Sequence, residues 1–148
     1  MKRINPYKAA PGPMKSVLDL HKVTERLSLD PRLIELVKVR ASQINGCAYC
    51  LQMHLAAARR HGEAQARLDL LAAWREAPDF SLKERAALDW TEAVTLIHES
   101  HAPDSAYERV AKVFSEQEVA ELTLLIGAIN LMNRLAVSLR YEVRQDVA

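Results

Sequence analysis

The residues of this chain that could do chemistry lie together between positions 35 and 54. The only two cysteines, Cys47 and Cys50, have two residues between them, and His54 follows Cys50 by four positions. Glu35 lies upstream, with eleven residues between it and Cys47. A thiolate is the nucleophile of peroxide reduction and of disulfide exchange, and histidine and glutamate commonly move its proton. The four residues therefore indicate thiol redox chemistry.

The spacing of the cysteines and the histidine fits one face of a helix. Residues three and four apart are neighbours on a helix, so Cys47, Cys50 and His54 share a face. If the helix begins at or near Cys47, its free N–H groups and its dipole favour an anion there. A thiol with a pKa of about 8.5 is mostly protonated at pH 7, and lowering that pKa by ~2 units requires about 2.7 kcal/mol. A helix N-terminus and a proton-accepting histidine can supply energy of that order.

Glu35 is placed to act on His54 if two successive helices run antiparallel. Asn45-Gly46 predicts the end of one helix, because glycine readily adopts the left-handed conformation of a C-terminal cap. A chain that turns back there brings Glu35 toward the next helix. A half-buried carboxylate facing an imidazole can orient the ring and share its proton. Glutamate, histidine and the two cysteines would then form a series of a proton relay, an attacking thiol and a resolving thiol.

Each of these residues also has a structural interpretation. The cysteine pair and His54 could provide three zinc ligands, although no fourth is obvious and the spacing on one helix strains a tetrahedral site. The cysteines could be inert and buried, and His54 could be a core histidine. Glu35 could be a surface carboxylate paired with Lys38 or Arg40, which would contribute little energy. His21 is a candidate inner position of the first helix, without a predicted chemical role.

The elements that must position these residues are predicted to be helices. Alanine, leucine, glutamate and arginine are frequent, all favour helices, and no β-like alternation persists. Asp30-Pro31 predicts a helix start, and Ser81 to Glu84 and Ser115 to Glu118 are capping boxes. We therefore expect an all-α fold of about six to seven helices. The expected helices cover about 14–27, 31–45, 47–60, 63–74, 82–100, a short segment from 104, and 116–141.

The last helix is predicted to be the central and most buried one. Its stretch from Leu122 to Val137 is apolar nearly all round. Asn130, Asn133 and Arg134 interrupt this stretch, and because buried polar groups need partners, we expect them to tie down loops or a subunit interface. The stretch is too short to span a bilayer, which favours a buried helix.

Length and composition favour one domain, residues 1–148, without a charged partner. The chain has 148 residues and is 49% hydrophobic, enough for a sizeable core. Residues 1–13 contain three prolines and are expected to form an extended N-terminal arm. A net charge of +1 and 5% aromatic residues give no basis for a nucleic-acid or membrane partner. No apolar run follows the basic N-terminus, so we expect a cytoplasmic protein without a signal peptide.

The pattern of Glu35, eleven residues, Cys47-x-x-Cys50, three residues and His54 resembles that of the alkylhydroperoxidase D-like (AhpD-like) proteins. These proteins belong to the carboxymuconolactone decarboxylase superfamily. The resemblance implies an all-helical fold, assembly into trimers or hexamers with the site near subunit contacts, and peroxidase or disulfide-reductase activity. It further implies that Cys50 is the peroxidatic cysteine and that Cys47 closes the disulfide. His54 and Glu35 match the proton relay.

One position departs from this pattern. The best-studied members have a histidine just before the second cysteine, where this chain has Tyr49. The change removes one proton-relay group, although the Tyr49 hydroxyl could still donate a hydrogen bond. The lactone decarboxylases of the superfamily generally lack the cysteine pair, so the pair argues against decarboxylation here.

The primary prediction is a thiol-dependent peroxidase acting on an alkyl or hydrogen peroxide. An external thiol or disulfide reductant would restore the cysteines, and no bound cofactor or metal is required. One alternative is a redox-sensing or disulfide-exchange oligomer without efficient turnover, motivated by Tyr49. Another is lactone chemistry of the decarboxylase branch, which would survive replacement of both cysteines. A homo-oligomer is expected because a domain of this length needs neighbours to cover its apolar face, and the family resemblance implies that it is a trimer or hexamer.

Overall fold

The computed structural model describes residues 3–144, and every regular element in that range is a helix. The all-α prediction is confirmed. The number of helices exceeds the predicted six to seven, because an extra helix forms near the N-terminus and the predicted helix over 82–100 is interrupted at Leu96. The elements are α1 Pro6–Ala9, α2 Pro11–Thr24, α3 Pro31–Asn45, α4 Ala48–Arg60, α5 Gln65–Leu70, a 3₁₀ turn Leu71–Ala73, α6 Leu82–Thr95, α7 Ile97–Ser100, α8 Asp104–Ala111 and α9 Glu116–Leu139.

The ends of α3 follow from local sequence signals. The Asp30 carboxylate accepts a hydrogen bond from the Arg32 N–H at 2.7 Å, and Pro31 occupies the first helical position. Gly46 ends the helix in the left-handed conformation, with φ 65° and ψ 35°. The two predicted capping boxes, at the starts of α6 and α9, are both present. These signals set where the site-bearing helices begin and end.

The prediction of an extended arm over residues 1–13 is wrong for the part of it that the structure describes. Pro6 begins α1, where the Asn5 side chain accepts a hydrogen bond from the Tyr7 N–H at 2.9 Å. Pro11 begins α2 directly afterwards. The N–H groups of the first helical turn have no intrahelical partner, so a proline there removes no hydrogen bond and its fixed φ favours the helix. The first two residues lie outside the described range.

α3 passes through the middle of the protein. It packs against α4, α6 and α9. Leu33 and Ile34 belong to a core cluster shared with α6, α8 and α9. Leu36 and Val39 belong to a second cluster, shared with α4, α5 and α6. Because it is covered on several sides, nine of its 15 residues are buried.

α9 is not the most buried helix, which corrects the prediction. Only eight of its 24 residues are buried, and Leu124, Leu131 and Val137 are 44%, 38% and 48% exposed. By length and composition the whole of α9, at 24 residues, could cross a membrane, although the stretch from Leu122 to Val137 considered above is shorter. The core helix of a globular domain passes the same test, and the inward side of α9 packs on α3 and α6.

Candidate active site

The turn between α3 and α4 places the two cysteines at the start of α4. Cys47 is the N-cap residue and Cys50 lies in the first turn. The Cys47 sulfur accepts a hydrogen bond from the Cys50 N–H at 3.2 Å. The two residues form a disulfide, with their Cα atoms 5.3 Å apart. In the reduced protein, the free N–H groups and dipole of this helix end favour a thiolate at this position.

The disulfide is shielded from solvent by aromatic rings. Cys47 is 1% exposed and Cys50 is 3% exposed. Ala136 of α9 completes their cluster, against which Tyr49 and Tyr141 pack. The two tyrosine rings meet edge to face, with centroids 5.3 Å apart and an interplanar angle of 85°. These rings therefore limit access to the sulfur atoms, and Tyr49 has this shielding contact where the family pattern has a histidine.

A cavity of about 320 Å³ has three tyrosines in its wall. Tyr7, Tyr49 and Tyr141 line it, together with residues at 3–6 and 139–142. Burial raises the pKa of Tyr141, and the neighbouring phenols of Tyr7 and Tyr49 add to this. The Tyr141 hydroxyl is therefore protonated at physiological pH, and within residues 3–144 it has no hydrogen-bond partner. Neither Tyr7 nor Tyr141 could be found from sequence, because only the fold brings the two ends of the chain to Tyr49.

Glu35 of α3 and His54 of α4 meet in the protein interior. The Glu35 Oε2 and His54 Nδ1 atoms are 2.9 Å apart, and the residues are 5% and 6% exposed. Burial would raise the pKa of Glu35, but the hydrogen bond to His54 and the charges of His54 and Lys38 outweigh it, so the pKa is lowered. An ionised carboxylate can only accept, so Nδ1 of His54 carries the donated proton.

The alternative interpretation of Glu35 as a solvated surface carboxylate is wrong. Its side chain is buried between two helices and lies opposite an imidazole. Arg40, one of the two surface partners considered for it, instead binds Glu92, with Nε and Oε1 3.0 Å apart. Lys38, the other partner, is near Glu35 but is itself buried.

Lys38 lies in the buried site, whereas the sequence interpretation considered it only as a surface partner of Glu35. Its Nζ lies 3.6 Å from Oε1 of Glu35, on the side of the carboxylate away from His54. The residue is 2% exposed, and within residues 3–144 its Nζ has no hydrogen-bond partner. Lys38 follows Glu35 by three positions and so shares its helix face. An inward Glu35 therefore implies an inward Lys38, which is the signal that could have found it.

His21 of α2 lies closer to the site than its position in the sequence indicated. Its ring centroid is 6.0 Å from that of His54. The pKa of His21 is lowered, chiefly by burial and then by the charges of Lys38 and His54. His21 is therefore neutral at physiological pH, so it adds no positive charge to that of Lys38 beside the Glu35–His54 pair.

Asparagine side chains connect the C-terminal end of α3 to α9. Asn45 donates to the side-chain oxygens of Asn130 and Asn133, at 3.0 and 2.9 Å. Asn133 donates in turn to the Ser42 hydroxyl at 3.0 Å. The asparagines of the last helix have partners, as expected, but these partners lie at the C-terminal end of α3 and not in a loop. Arg134, the third residue in that expectation, is directed to the Asn130 carbonyl on its own helix.

No metal-binding cluster occurs in the part of the chain that the structure describes. Within residues 3–144, no three His, Cys, Asp or Glu side chains are arranged to hold a metal ion. The zinc site considered for the cysteines and His54 therefore has no complete ligand set in that range.

Comparison with known proteins identifies the family. The carboxymuconolactone decarboxylase family matches residues 14–93, which include Glu35, both cysteines and His54. The chain belongs to this family. Its fold is that of the AhpD-like proteins, which confirms the resemblance read from the spacing of the four residues.

Individual relatives extend over most of the chain. YdfG of Bacillus subtilis (strain 168), an uncharacterized protein, is 39% identical over 137 residues, which cover 93% of each chain. A protein of unknown function from Agrobacterium tumefaciens, named as a candidate antioxidant defence protein AhpD, is 42% identical. Its structure has a TM-score of 0.95 and the match covers 99% of this chain and 100% of that one. The debrominase Bmp8 shares the fold at 18% identity and a TM-score of 0.80, covering 93% of this chain and 74% of its own.

Proposed function

We propose that this protein is a thiol-dependent peroxidase that uses Cys47 and Cys50 as a redox pair. The observation that carries the proposal is the cysteine pair at the start of α4, joined as a disulfide, with the buried His54–Glu35 pair one turn further along. The A. tumefaciens relative named for antioxidant defence supports the same assignment. The chemistry needs no bound cofactor, because both electrons come from the thiols.

In the first step, the Cys50 thiolate attacks the terminal oxygen of a hydroperoxide. A sulfur–oxygen bond forms, the oxygen–oxygen bond breaks, and the alkoxide leaves as an alcohol after taking up a proton. His54 is four residues after Cys50 and on the same helix face, so it can accept the thiol proton and return it to the leaving alkoxide. Glu35 holds the imidazole in the required tautomer.

In the second step, the Cys47 thiolate attacks the sulfur of the Cys50 sulfenic acid. The disulfide forms, the sulfur–oxygen bond breaks, and hydroxide leaves as water after taking the proton released by Cys47. An external dithiol then supplies two electrons and two protons and restores both cysteines through a mixed disulfide. Per cycle, one hydroperoxide and one dithiol give one alcohol, one water and one external disulfide.

The test compares the two single cysteine variants. We expect Cys50→Ser to abolish hydroperoxide turnover with a dithiol reductant. Cys47→Ser should still consume one equivalent of peroxide and accumulate a sulfenic acid that a dimedone-type reagent traps. Full turnover by Cys50→Ser, or sulfenic acid on Cys47, would contradict the assignment of roles.

A second candidate is a redox-sensing or disulfide-exchange module. The burial of both cysteines behind Tyr49 and Tyr141 favours it, because limited access slows a reaction with peroxide. Such a module would oxidise once, stoichiometrically, and would not turn over with a physiological dithiol. Steady-state turnover that continues over many equivalents of peroxide would exclude this candidate. Lactone chemistry stays an untested prediction, and its test is activity in the chain with both cysteines replaced.

The partner proposed for the apolar face of α9 is a second copy of the chain. Leu124 and Leu131, seven residues apart, are exposed large apolar residues on one face of this helix. Burying them against a neighbour would remove apolar area from water, which favours the proposed trimer or hexamer. Light scattering after size-exclusion chromatography measures the mass directly, and a monomer at micromolar concentration would rule the assembly out.

A further inference from the structure

The buried ammonium of Lys38 requires an explanation that packing alone does not supply. A charged side chain is costly to bury, so buried lysines are normally paired and hydrogen-bonded. Lys38 is 2% exposed, and within the described residues its Nζ makes no hydrogen bond. The acidic group beside it is Glu35, 3.6 Å away. Lys38 therefore lies in the core beside Glu35, the carboxylate that contacts His54.

Within residues 3–144, no acid other than Glu35 forms an ion pair with Lys38. α2 contributes His21, α4 contributes His54, and a small cavity beside Lys38 is otherwise lined by apolar residues of α2 and α9 and by Thr24. The charge of His61 also lowers the pKa of Glu35, as the smallest of the causes named for it. Glu25 lies 3.5 Å from His21, but its side chain is 57% exposed to solvent. Lys38 therefore acts on Glu35 rather than on another acid.

The two oxygens of Glu35 are divided between two helices. Oε2 faces Nδ1 of His54 at 2.9 Å, and Oε1 faces the Lys38 ammonium at 3.6 Å. A carboxylate held by a cation on one oxygen stays ionised, and the other oxygen then accepts the Nδ1 proton of the imidazole. That leaves the Nε2 lone pair of His54 free to act as a base.

We propose that Lys38 is a positioning residue of the thiol site, which keeps Glu35 ionised and thereby holds His54 in the tautomer with Nε2 unprotonated. The catalytic role of Lys38 rests on the proposed function, because in that mechanism His54 is the base that accepts the Cys50 proton. It does not require Lys38 to touch substrate or sulfur. Without the Lys38 cation, the buried Glu35 carboxylate could take up a proton. Its O–H would then donate to Nδ1 of His54, and the imidazole proton would move to Nε2.

The experiment compares Lys38→Met and Lys38→Arg in the reduced protein. Methionine keeps the length and packing of the side chain without its charge, whereas arginine restores the charge. ¹³C NMR titration of the Glu35 carboxyl, assigned with Glu35→Gln, should show its pKa rising by about one unit or more in Lys38→Met. Lys38→Arg should return it toward the wild-type value. At a pH between the Glu35 pKa values of wild type and Lys38→Met, ¹⁵N NMR of His54 should show loss of the single Nδ1–H tautomer in Lys38→Met alone.

The kinetic readout is the pH profile of thiol oxidation by an organic hydroperoxide. In Lys38→Met the acid limb of the rate should move to higher pH by the same shift as the Glu35 titration. Lys83→Met is the matched control, because Lys83 also lies near a carboxylate, 3.4 Å from Glu118, but is exposed on α6. A Lys38→Met protein that folds and leaves the Glu35 titration and the His54 tautomer unchanged would overturn the proposal.

Two further observations separate the possible failures. If the wild-type protein does not consume hydroperoxide, the proposed function fails, but the NMR titration still decides the role of Lys38. If Lys38→Met does not fold, the wild-type chain itself is informative. A ¹⁵Nζ signal of Lys38 in the neutral amine form at pH 7, or a protonated Glu35 carboxyl at that pH, would overturn the proposal.

Discussion

α3 and α9 show that composition and burial are separate properties of a helix. α3 carries four charged residues, yet nine of its 15 residues are buried, including Glu35 and Lys38. α9 is the more apolar helix, yet Leu124, Leu131 and Val137 remain exposed. The difference arises because α3 is covered on several sides, whereas α9 packs against α2, α3, α4, α6 and α8 with its inward side and leaves its other side open. A helix surrounded by others must bury whatever it carries, and here it carries the charged part of the proposed site.

The largest expected effect comes from removing the buried charge on α3. Glu35→Gln leaves the Lys38 ammonium in the core without a counter-charge and replaces the ionised acceptor that orients His54 with a neutral amide, which can also donate. We expect an unfolding free energy lower by about 3–5 kcal/mol and an oxidation rate lower by about 10²-fold or more. Urea unfolding and stopped-flow oxidation of the thiols measure the two effects.

The matched control is Glu121→Gln on α9. That carboxylate accepts hydrogen bonds from Ser28 at the protein surface. The change should leave the oxidation rate unaltered. If Glu121→Gln lowered the oxidation rate and the unfolding free energy as much as Glu35→Gln does, the buried charge on α3 would have no greater effect than the surface charge on α9.

A smaller effect is expected from truncating apolar residues on the two helices. Leu36→Ala on α3 removes a fully buried side chain and should lower the unfolding free energy by about 3 kcal/mol. Leu124→Ala on α9 removes a side chain that is 44% exposed, so the loss should be below about 1 kcal/mol at low protein concentration. Urea unfolding at several protein concentrations measures both.

The concentration series also tests the outward face of α9. If the Leu124→Ala loss grows as the protein concentration rises, the side chain is buried in an assembly, as proposed. A Leu124→Ala loss as large as that of Leu36→Ala under dilute conditions would mean that α9 is a core helix on all sides.

The smallest effect is the dependence of stability on pH. Glu35 has a folded-state pKa below its ordinary value of 4.5, so its ionised form stabilises the native state. This contribution is complete well above pH 4.5 and is lost as the pH falls through the folded-state pKa. The difference in unfolding free energy between wild type and Glu35→Gln should therefore shrink as the pH falls from 6 to 3.

Acid titration of stability by urea unfolding measures that difference. A difference that stays constant over this range would mean that Glu35 is protonated or equally paired in both states. It would also contradict the contrast between the buried Glu35 carboxylate on α3 and the exposed or half-buried carboxylates of α9.

Local signals predicted the helices well where hydrogen bonding at a helix end is decided by a few residues. Asp30-Pro31, Gly46 and the two serine capping boxes all behave as predicted, because the free N–H and C=O groups of a helix end are satisfied by nearby side chains or turns. The N-terminal prolines were misinterpreted for a related reason. A proline ends a helix only when its missing N–H would have been used, and Pro6 and Pro11 lie where it is not.

The sequence by itself determined the all-helical class, the position of Cys47 and Cys50 at a helix start, and the likeness to a known family. These depend on spacing within one or two turns, which a helix converts directly into geometry. Only the tertiary structure decided that α3, and not α9, is enclosed, that Lys38 lies against Glu35 in the core, and that Tyr141 joins Tyr49 over the disulfide. Burial and long-range contact depend on which elements surround a residue, and no local pattern specifies its neighbours.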